Sequence, residues 1–138
     1  MDQSDYLAIT NHLAKYCFLV DAGGAEEIAD LFWDDARLQF NGEHIGKDKI
    51  RQCFQSWIAE MRDPVQGLRH LLHVPYIKLE GDFALSEAYA DSDAHTRRNG
   101  RPLQNRAIYK DRLAKRDGEW KFLERRIIWM TSITEMIS

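Results

Sequence analysis

An aspartate at the end of a predicted helix is the first residue that needs a chemical explanation. The segment KYCFLVDAGG places Asp21 two residues before a glycine pair that should end the helix. An acid is disfavoured there, because the C-terminus of a helix carries the negative end of the helix dipole. Helical spacing puts Asp21 on the same face as Cys17 and Phe18, which we predict to face the interior. An inward carboxylate needs a hydrogen-bonded or charged partner, so the sequence predicts one among the later histidines and arginines.

A histidine of the first long predicted strand is the main candidate for that partner. By alternation, His70 shares a face with Leu72, Val74 and Tyr76, so it also points toward apolar surroundings. An aspartate bonded to a histidine fixes the imidazole tautomer and stabilises its charged form, which makes a general base able to take a proton from carbon or water. Asp21 and His70 are therefore the predicted catalytic residues, and a buried structural pair is the alternative interpretation.

Four aromatic side chains and one arginine complete the candidate site. Phe18, Trp33, Phe54 and Trp57 could line an apolar pocket for a ring-shaped substrate, although core packing is the simpler explanation for most of them. Arg106, on the third strand of the meander, could orient an anionic or carbonyl group, or it could lie on a solvated sheet edge.

The sequence indicates neither a metal site nor a disulfide. Cys17 and Cys53 are the only cysteines, and they form no CxxC pair. His73 follows His70 by three residues, and in a strand this spacing places the two imidazoles on opposite faces. We therefore predict two reduced thiols, no metal and no cofactor.

Helical periodicity comes before strand-like alternation along the chain. Helices are predicted from Ser4 to Val20, in AEEIADLFWDD and in KDKIRQCFQSWIAEMRD, where apolar residues form a single inward stripe. A short strand, ARLQFNG, precedes the third helix. After Pro64, four strand-like runs separated by the turn pairs GD, NG and DG predict an antiparallel meander. This order indicates an α+β fold with the helices on one concave face of the sheet.

Length and charge limit the kinds of protein that this sequence can encode. A chain of 138 residues is predicted to form one domain, 1–138. Its net charge is −3, and acids lie among the late basic clusters TRRNGR and LERR, which argues against a nucleic-acid partner. The first residues lack the pattern of a signal peptide, and no apolar run approaches the roughly 20 residues that span a bilayer. We expect a cytoplasmic protein with no membrane partner.

Three stretches of the sequence together resemble a known family. They are LAKYCFLVDAGGAEEIADLFWDDARLQFNGEHIGKDKI, LRHLLHVPYIKLEGDFALSEAYA and AIYKDRLAKRDGEWKFLERRII. With the Asp, the RH pair and a YxDxLxxxDGxWxF pattern in register, this order is similar to the SnoaL-like proteins of the nuclear transport factor 2-like superfamily. The resemblance implies a cone-shaped, strongly curved antiparallel sheet packed against three N-terminal helices, with a pocket inside the cone. It also implies a homodimer or larger homo-oligomer.

The resemblance implies roles for individual residues as well. In members such as scytalone dehydratase and hexachlorocyclohexane dehydrochlorinase, both cofactor-free enzymes of elimination, an aspartate ending the first helix supports a histidine base of the sheet. Asp21 and His70 stand at the matching places. His95 stands where the dehydratase has a second pocket histidine, which implies binding or protonation of a leaving hydroxyl. A rim position within the polar stretch DSDAHTRR is the alternative for His95.

The sequence departs from those members close to the aspartate. Val20 stands where the dehydratase has a tyrosine, and Tyr16 stands where the dehydrochlorinase has a lysine. On an ideal helix Tyr16 lies roughly 140° from Asp21, so we expect it at the edge of the apolar arc and away from the site. Only the dyad is carried over, and no known substrate. His12 and His44 are predicted to lie on the surface.

Two functions from different classes follow from these observations. The first is a small cofactor-independent lyase of dehydratase type, or an isomerase, that acts on a hydrophobic cyclic or polyketide-like small molecule with His70 as the base. The second is a non-catalytic small-molecule-binding or assembly module that resembles the small subunits of ring-hydroxylating dioxygenases. An open apolar cavity that reaches His70 favours the first function, whereas a filled cone with an inaccessible dyad favours the second.

Overall fold

The computed structural model describes residues 3–130, which form helices followed by a large sheet. In chain order the elements are α1 (Gln3–Ala22), α2 (Ala25–Ala29), β1 (Phe32–Gln39), β2 (Glu43–Ile45), α3 (Lys47–Trp57), a π-helical turn (Ile58–Arg62), β3 (Val65–Leu72), β4 (Tyr76–Glu80), β5 (Phe83–Thr96), β6 (Pro102–Arg116) and β7 (Glu119–Trp129).

All the strands join one curved and mostly antiparallel sheet. Its order is β2-β1-β7-β6-β5-β3. β4 pairs with the first residues of β5, and β3 pairs with the later ones. Within residues 3–130, β1 and β7 are the only parallel pair. α1 packs against β3 and β7, and α3 packs against β1. The predicted α+β class, with N-terminal helices on a curved antiparallel sheet, is confirmed.

Short turns set the register of the meander. Gly81-Asp82 joins β4 to β5, and Asp117-Gly118 joins β6 to β7, as the sequence predicts. Asp117 and Gly118 both have positive φ, 51° and 81°, which a two-residue turn of type I′ requires. The run LRHLLHVPYIKLE, predicted as one strand, is two strands, because Pro75 cannot donate a hydrogen bond to the sheet.

The buried face of α1 differs from the predicted one. Ile9, Leu13, Tyr16, Cys17 and Val20 are the buried residues of this helix. The prediction that Phe18 faces the interior is wrong, since this side chain is 76% exposed; Leu7 is 64% exposed as well. The helix carries apolar side chains on both sides, so helical spacing alone does not decide which side packs on the sheet.

The second and third helices are also shorter than predicted. α2 ends at Ala29, and the strand β1 begins at Phe32 inside the segment predicted as helix. α3 is followed by a π turn, in which the Asp63 N–H donates to the Ile58 carbonyl five residues earlier. Met61 lies within this turn and is 60% exposed, so it does not join Ile50 and Phe54 as a buried residue of the predicted inward stripe.

Candidate active site

Asp21 and His70 lie in direct contact, as the sequence predicts. Asp21 projects from the last turn of α1, and His70 lies in β3. The Asp21 Oδ1 atom is 2.7 Å from His70 Nδ1, and Asp21 Oδ2 accepts a 3.1 Å hydrogen bond from the His70 backbone N–H. Both side chains are largely buried, with 16% and 11% of their surface exposed. The carboxylate therefore fixes the backbone and the ring of His70 together.

The contact with Asp21 determines which nitrogen of the His70 ring is free. A carboxylate only accepts hydrogen bonds, so Nδ1 carries the proton and Nε2 of the neutral ring is left with a lone pair. Within residues 3–130, Nε2 has no protein hydrogen-bond partner. The Trp57 ring lies beside the imidazole, with the ring centroids 6.5 Å apart. This arrangement presents a basic nitrogen from a rigidly held ring.

A cavity of about 130 Å³ opens beside His70 on the concave face of the sheet. Its volume is close to that of an engineered protein cavity, about 150 Å³, that binds benzene. Most of its wall is apolar. The lining residues are Tyr16, Val20, Phe40, Trp57, Met61, Val65, Leu68, His70, Ser92, Asp93, Ala94, Leu103, Asn105, Ile127 and Trp129. Asp21 is not among them, so it lies behind His70 as seen from the cavity.

A row of polar side chains crosses the cavity wall and was not predicted from the sequence. His70 pairs with Ser92 across β3 and β5, and Ser92 pairs with Asn105 across β5 and β6. Directly paired residues point to the same face, with neighbouring Cβ atoms about 5 Å apart. His70, Ser92 and Asn105 therefore form one line of polar groups facing the cavity. In the sequence these residues show only the alternation of their strands, and this alternation can be assigned to one face of the sheet only once the strand register is known.

Of the four aromatic residues predicted to line the pocket, only Trp57 does so. Phe18 is exposed on the outer side of α1, so its predicted place at the pocket is wrong. Trp33 lies under Arg116 and Lys121, and its indole N–H donates to the Ala114 carbonyl. Phe54 is fully buried in the core among other aromatic rings.

His95 and Arg106 lie on the opposite face of the sheet from the cavity. Their strand neighbours Ala94 and Ala107 are buried on the concave side, so alternation turns His95 and Arg106 outward. His95 is exposed, and neither residue lines the cavity. The predicted contacts of His95 and Arg106 with a substrate are therefore corrected, because neither side chain can reach a ligand near His70.

Tyr16 is buried at the cavity. The prediction that it lies at the edge of the apolar arc, away from the site, is wrong. Its ring lies 4.2 Å from the guanidinium of Arg125, which also contacts the faces of Tyr109 and Phe122. Burial raises the pKa of Tyr16 well above its usual value, although the Arg125 charge opposes this shift. Tyr16 is thus a neutral hydroxyl that lines the cavity.

The Arg125 guanidinium forms a buried ion pair beneath Tyr16. Its Nε and Nη2 donate to the two carboxylate oxygens of Asp111 at 2.7 and 2.8 Å. Arg125 is 0% and Asp111 is 5% exposed. Burial raises the pKa of Asp111, and the adjacent guanidinium opposes that shift. This pair was not predicted as special, because both residues follow the ordinary alternation of their strands.

His12 is not the surface residue that the sequence predicts. It is half-buried beside Phe122, and its Nε2 lies 2.9 Å from the Leu31 carbonyl. Burial lowers the pKa of His12 to about 4, although the hydrogen bond to Leu31 opposes the shift. A neutral ring there donates to the carbonyl.

The cysteines and the remaining acids and histidines add no further site. Cys17 is buried, Cys53 is half-buried, and both are free thiols. Burial raises the pKa of Cys53 to about 11, which disfavours the reactive thiolate. In the part of the chain that the structure describes, no three His, Cys, Asp or Glu side chains are grouped so as to hold a metal ion. No helix among residues 3–130 is long and apolar enough to cross a membrane.

The chain matches a protein-family model over most of its length. The family model of the SnoaL-like domain matches residues 2–126. No curated protein matches the chain in sequence.

Several solved structures share the fold. One is a provisionally assigned scytalone dehydratase from Novosphingobium aromaticivorans DSM 12444, with 20% identity, a TM-score of 0.83, and coverage of 94% of this chain and 87% of the other. A protein of unknown function with a cystatin-like fold from Nostoc punctiforme PCC 73102 has 26% identity, a TM-score of 0.79 and 94% coverage of both chains. A hexachlorocyclohexane dehydrochlorinase, LinA type 2, has 16% identity, a TM-score of 0.79, and coverage of 94% and 88%. At such identities the likeness to the two enzymes concerns the fold.

Proposed function

Because the chain belongs to the SnoaL-like domain family, we propose that it is a small cofactor-independent enzyme that removes a proton from a hydrophobic cyclic molecule. The reaction would be an elimination of dehydratase type or an isomerisation. Among the proteins with this fold are one provisionally assigned as a dehydratase and one named as a dehydrochlorinase. A homodimeric or larger assembly and a cytoplasmic address are part of the same proposal.

One observation carries the proposal: His70 is held by Asp21 on one side and lines an apolar cavity on the other. In the proposed step, His70 Nε2 takes a proton from a carbon of the substrate, and the electron pair of that C–H bond forms a new double bond to the adjacent carbon. In an elimination the bond from that adjacent carbon to the hydroxyl breaks and the hydroxyl leaves as water with a proton from a donor; in an isomerisation the adjacent C=O electrons move onto the carbonyl oxygen, and the proton is returned at another carbon. The Asp21 carboxylate stabilises the imidazolium that results. The mostly apolar wall of the cavity strengthens both interactions, because it lowers the local dielectric constant.

The polar residues of the cavity wall other than His70 limit which groups the substrate can carry. Elimination needs a donor near the departing hydroxyl, and isomerisation needs a donor at a carbonyl. The Tyr16 hydroxyl and the Asn105 amide are neutral donors that line the same cavity. We therefore propose a cyclic substrate with an oxygen function that one of these two groups contacts. The cavity volume of about 130 Å³ fits one ring better than a large polycycle.

The alternative function, a binding or assembly module, has less support. Its filled-cone form requires a dyad out of reach of any ligand, whereas the cavity extends to His70. A module that binds a small molecule without reaction would use the same cavity, so the two functions differ only in whether a proton leaves the ligand.

Hydrogen exchange into a bound ligand tests this difference directly. A panel of cyclic hydroxy-ketones is incubated with the protein in D₂O, and deuterium uptake or loss of water is followed by NMR and mass spectrometry. We expect His70→Gln and Asp21→Asn to lower the rate for an active ketone, with His70→Gln losing about 10²- to 10⁴-fold. The matched control is His95→Gln, because His95 is an exposed histidine on the other face of the sheet.

Each result has a defined meaning for the proposal. An unchanged rate in His70→Gln would refute a base role for this residue. Saturable binding of a ketone to the wild type with no exchange would favour the binding module. Loss of rate in His95→Gln equal to that in His70→Gln would show that the assay reports general damage.

A further inference from the structure

Arg62 bonds the end of the helix that carries Asp21. Its Nη1 atom donates to the Val20 carbonyl at 3.1 Å and to the Gly23 carbonyl at 2.7 Å. These two carbonyls lie on either side of Asp21 in the chain. Arg62 is half-buried and makes no ion pair with any carboxylate in residues 3–130. Its guanidinium is therefore committed to this helix end.

The π turn after α3 places Arg62 at that position. In the turn Ile58–Arg62, the Asp63 N–H bonds the Ile58 carbonyl, so the turn holds one residue more than an α-helical turn. The extra residue rotates Arg62 by about 100° from the direction that a continued α-helix would give it. π turns are rare and occur frequently at functional sites. Here the turn directs a cation back across the fold, over 42 residues of sequence, to the end of α1.

The end of α1 needs such a cation more than an ordinary helix end does. The last carbonyls of a helix lack partners within the helix and carry the negative end of its dipole. The Asp21 carboxylate adds a full negative charge at the same end, and α1 has no basic residue of its own in its last turn. Arg62 supplies the positive charge and the hydrogen-bond donor that this turn lacks.

The corner after α1 is also sterically tight. The Gly23 N–H bonds the Leu19 carbonyl at 2.6 Å, and a Cβ at Gly23 would lie 2.8 Å from Leu19 Cδ2 and 2.9 Å from the Leu19 oxygen. The chain can turn here only with Gly23 close against the helix, and Arg62 bonds the carbonyl of that same glycine. The direction in which Asp21 leaves the helix is thus set from both sides.

We propose that Arg62 is a positioning residue for the Asp21–His70 dyad: by bonding the carbonyls on either side of Asp21, it fixes the turn from which the carboxylate reaches the ring Nδ1 and the backbone N–H of His70. This inference deepens the proposed function and rests on it for its catalytic meaning. The effect of Arg62 on the position and tautomer of the His70 ring can be measured with no substrate present.

The test observes the His70 ring in the intact protein by long-range ¹H–¹⁵N NMR at about pH 8. In the wild type we expect a single neutral tautomer with the proton on Nδ1. In Arg62→Met we expect the two tautomers to interconvert and the hydrogen-bonded Nδ1 proton to broaden or disappear, because Asp21 no longer holds one position. Arg62→Lys, which keeps a cationic donor, should restore most of the wild-type signal.

Arg51→Met is the matched control. Arg51 is also a half-buried arginine of the same helical segment, but its ion pairs are with Glu26 and Asp48, away from the Val20 and Gly23 carbonyls. We expect its His70 signals to match the wild type. Arg62→Gln, with a neutral donor, is the second variant, and it should lose the signal in part even if Arg62→Met does not fold.

The outcomes separate this inference from the proposed function. The inference is overturned if His70 gives wild-type signals in folded Arg62→Met, or in Arg62→Gln if only that variant folds. It is also overturned if the signals of all five histidines shift equally, because such a shift marks general loosening of the fold. In the exchange assay, Arg62→Met should be at least tenfold slower than the wild type. The double variant Arg62→Met/Asp21→Asn should be hardly slower than Asp21→Asn alone. Altered His70 signals with no exchange of any ketone would support the role of Arg62 while the proposed reaction fails.

Discussion

Replacing Arg125 with methionine should make the stability of the protein strongly dependent on pH. Methionine is of similar length and fills the space between Tyr16, Tyr109 and Phe122. It leaves the Asp111 carboxyl buried with neither of its two hydrogen bonds from Arg125. A buried carboxylate without a partner is so unfavourable that the variant folds with Asp111 protonated instead.

The magnitude follows from the proton that must be bound on folding. In the wild type, burial raises the pKa of Asp111 and Arg125 opposes the shift, so removing Arg125 raises the pKa further. An unfolded aspartate has a pKa of about 3.9, and each pH unit above it costs about 1.4 kcal/mol to protonate the group. At pH 7 the variant should therefore lose about 4 kcal/mol, a large part of the 5–15 kcal/mol that stabilises a typical domain. The folded variant binds one more proton than the unfolded chain, so its stability falls as pH rises.

Urea unfolding followed by tryptophan fluorescence, at intervals between about pH 5 and pH 8, measures this dependence. The difference in free energy of unfolding between wild type and Arg125→Met should grow by about 1.4 kcal/mol for each pH unit. In Arg125→Met/Asp111→Asn, the difference from the wild type should not change with pH. Arg116→Met also removes two hydrogen bonds from an arginine to an aspartate, Asp35, but on the surface, and it should hardly change the free energy of unfolding. A loss in Arg125→Met that is the same at every pH would refute the reasoning.

Three further outcomes follow from the packing of α1 and its surroundings. Gly23→Ala should lower the midpoint of thermal unfolding by several degrees, because the new Cβ meets a backbone oxygen at 2.9 Å, whereas Gly24→Ala, with its nearest contact at 3.6 Å, should not. His12 has a pKa of about 4 in the folded protein, so the unfolded chain binds more protons than the folded one between about pH 6.5 and pH 4. The free energy of unfolding of the wild type should therefore fall by about 2–3 kcal/mol as the pH drops through that range. Urea titrations of His12→Gln should show a smaller fall. Phe18→Ser should leave both the unfolding midpoint and ketone exchange unchanged, since Phe18 is 76% exposed and distant from the cavity; a tenfold loss of exchange would show that this residue reaches the ligand.

The sequence predicted those features that depend on local chemistry. The turn pairs GD and DG need particular backbone angles, so they located the hairpins correctly. Asp21 conflicted with the dipole of its own helix, and that conflict correctly indicated a partner elsewhere in the chain. The partner proved to be His70, 49 residues away.

The features that were mispredicted depend on register or on a choice between two similar faces. α1 carries apolar residues on both sides, which led to the exposed Phe18 being predicted inside. Arg106 was considered for the site because strand parity cannot be assigned before the sheet is known, whereas its neighbour Asn105 faces the cavity. The π turn that directs Arg62 has no distinct sequence pattern. The Asp111–Arg125 pair has the spacing of ordinary strand residues and gains its meaning from complete burial.

The parallel pairing of β1 with β7 sets the order of events during synthesis on the ribosome. β7 begins 80 residues after β1 ends, so at about 5–20 residues per second β1 exists for roughly 4–16 s before this neighbour is made. During this time β1 can pair with β2 on one edge, but Phe32, fully buried in the finished protein, lacks the β7 strand beside which it packs. The nascent chain therefore exposes one unpaired strand edge, which is a site for unwanted pairing with other chains. Asp21 and His70 are synthesised before β7, but the cavity beside His70 is complete only when β7 supplies Ile127 and Trp129 to its wall.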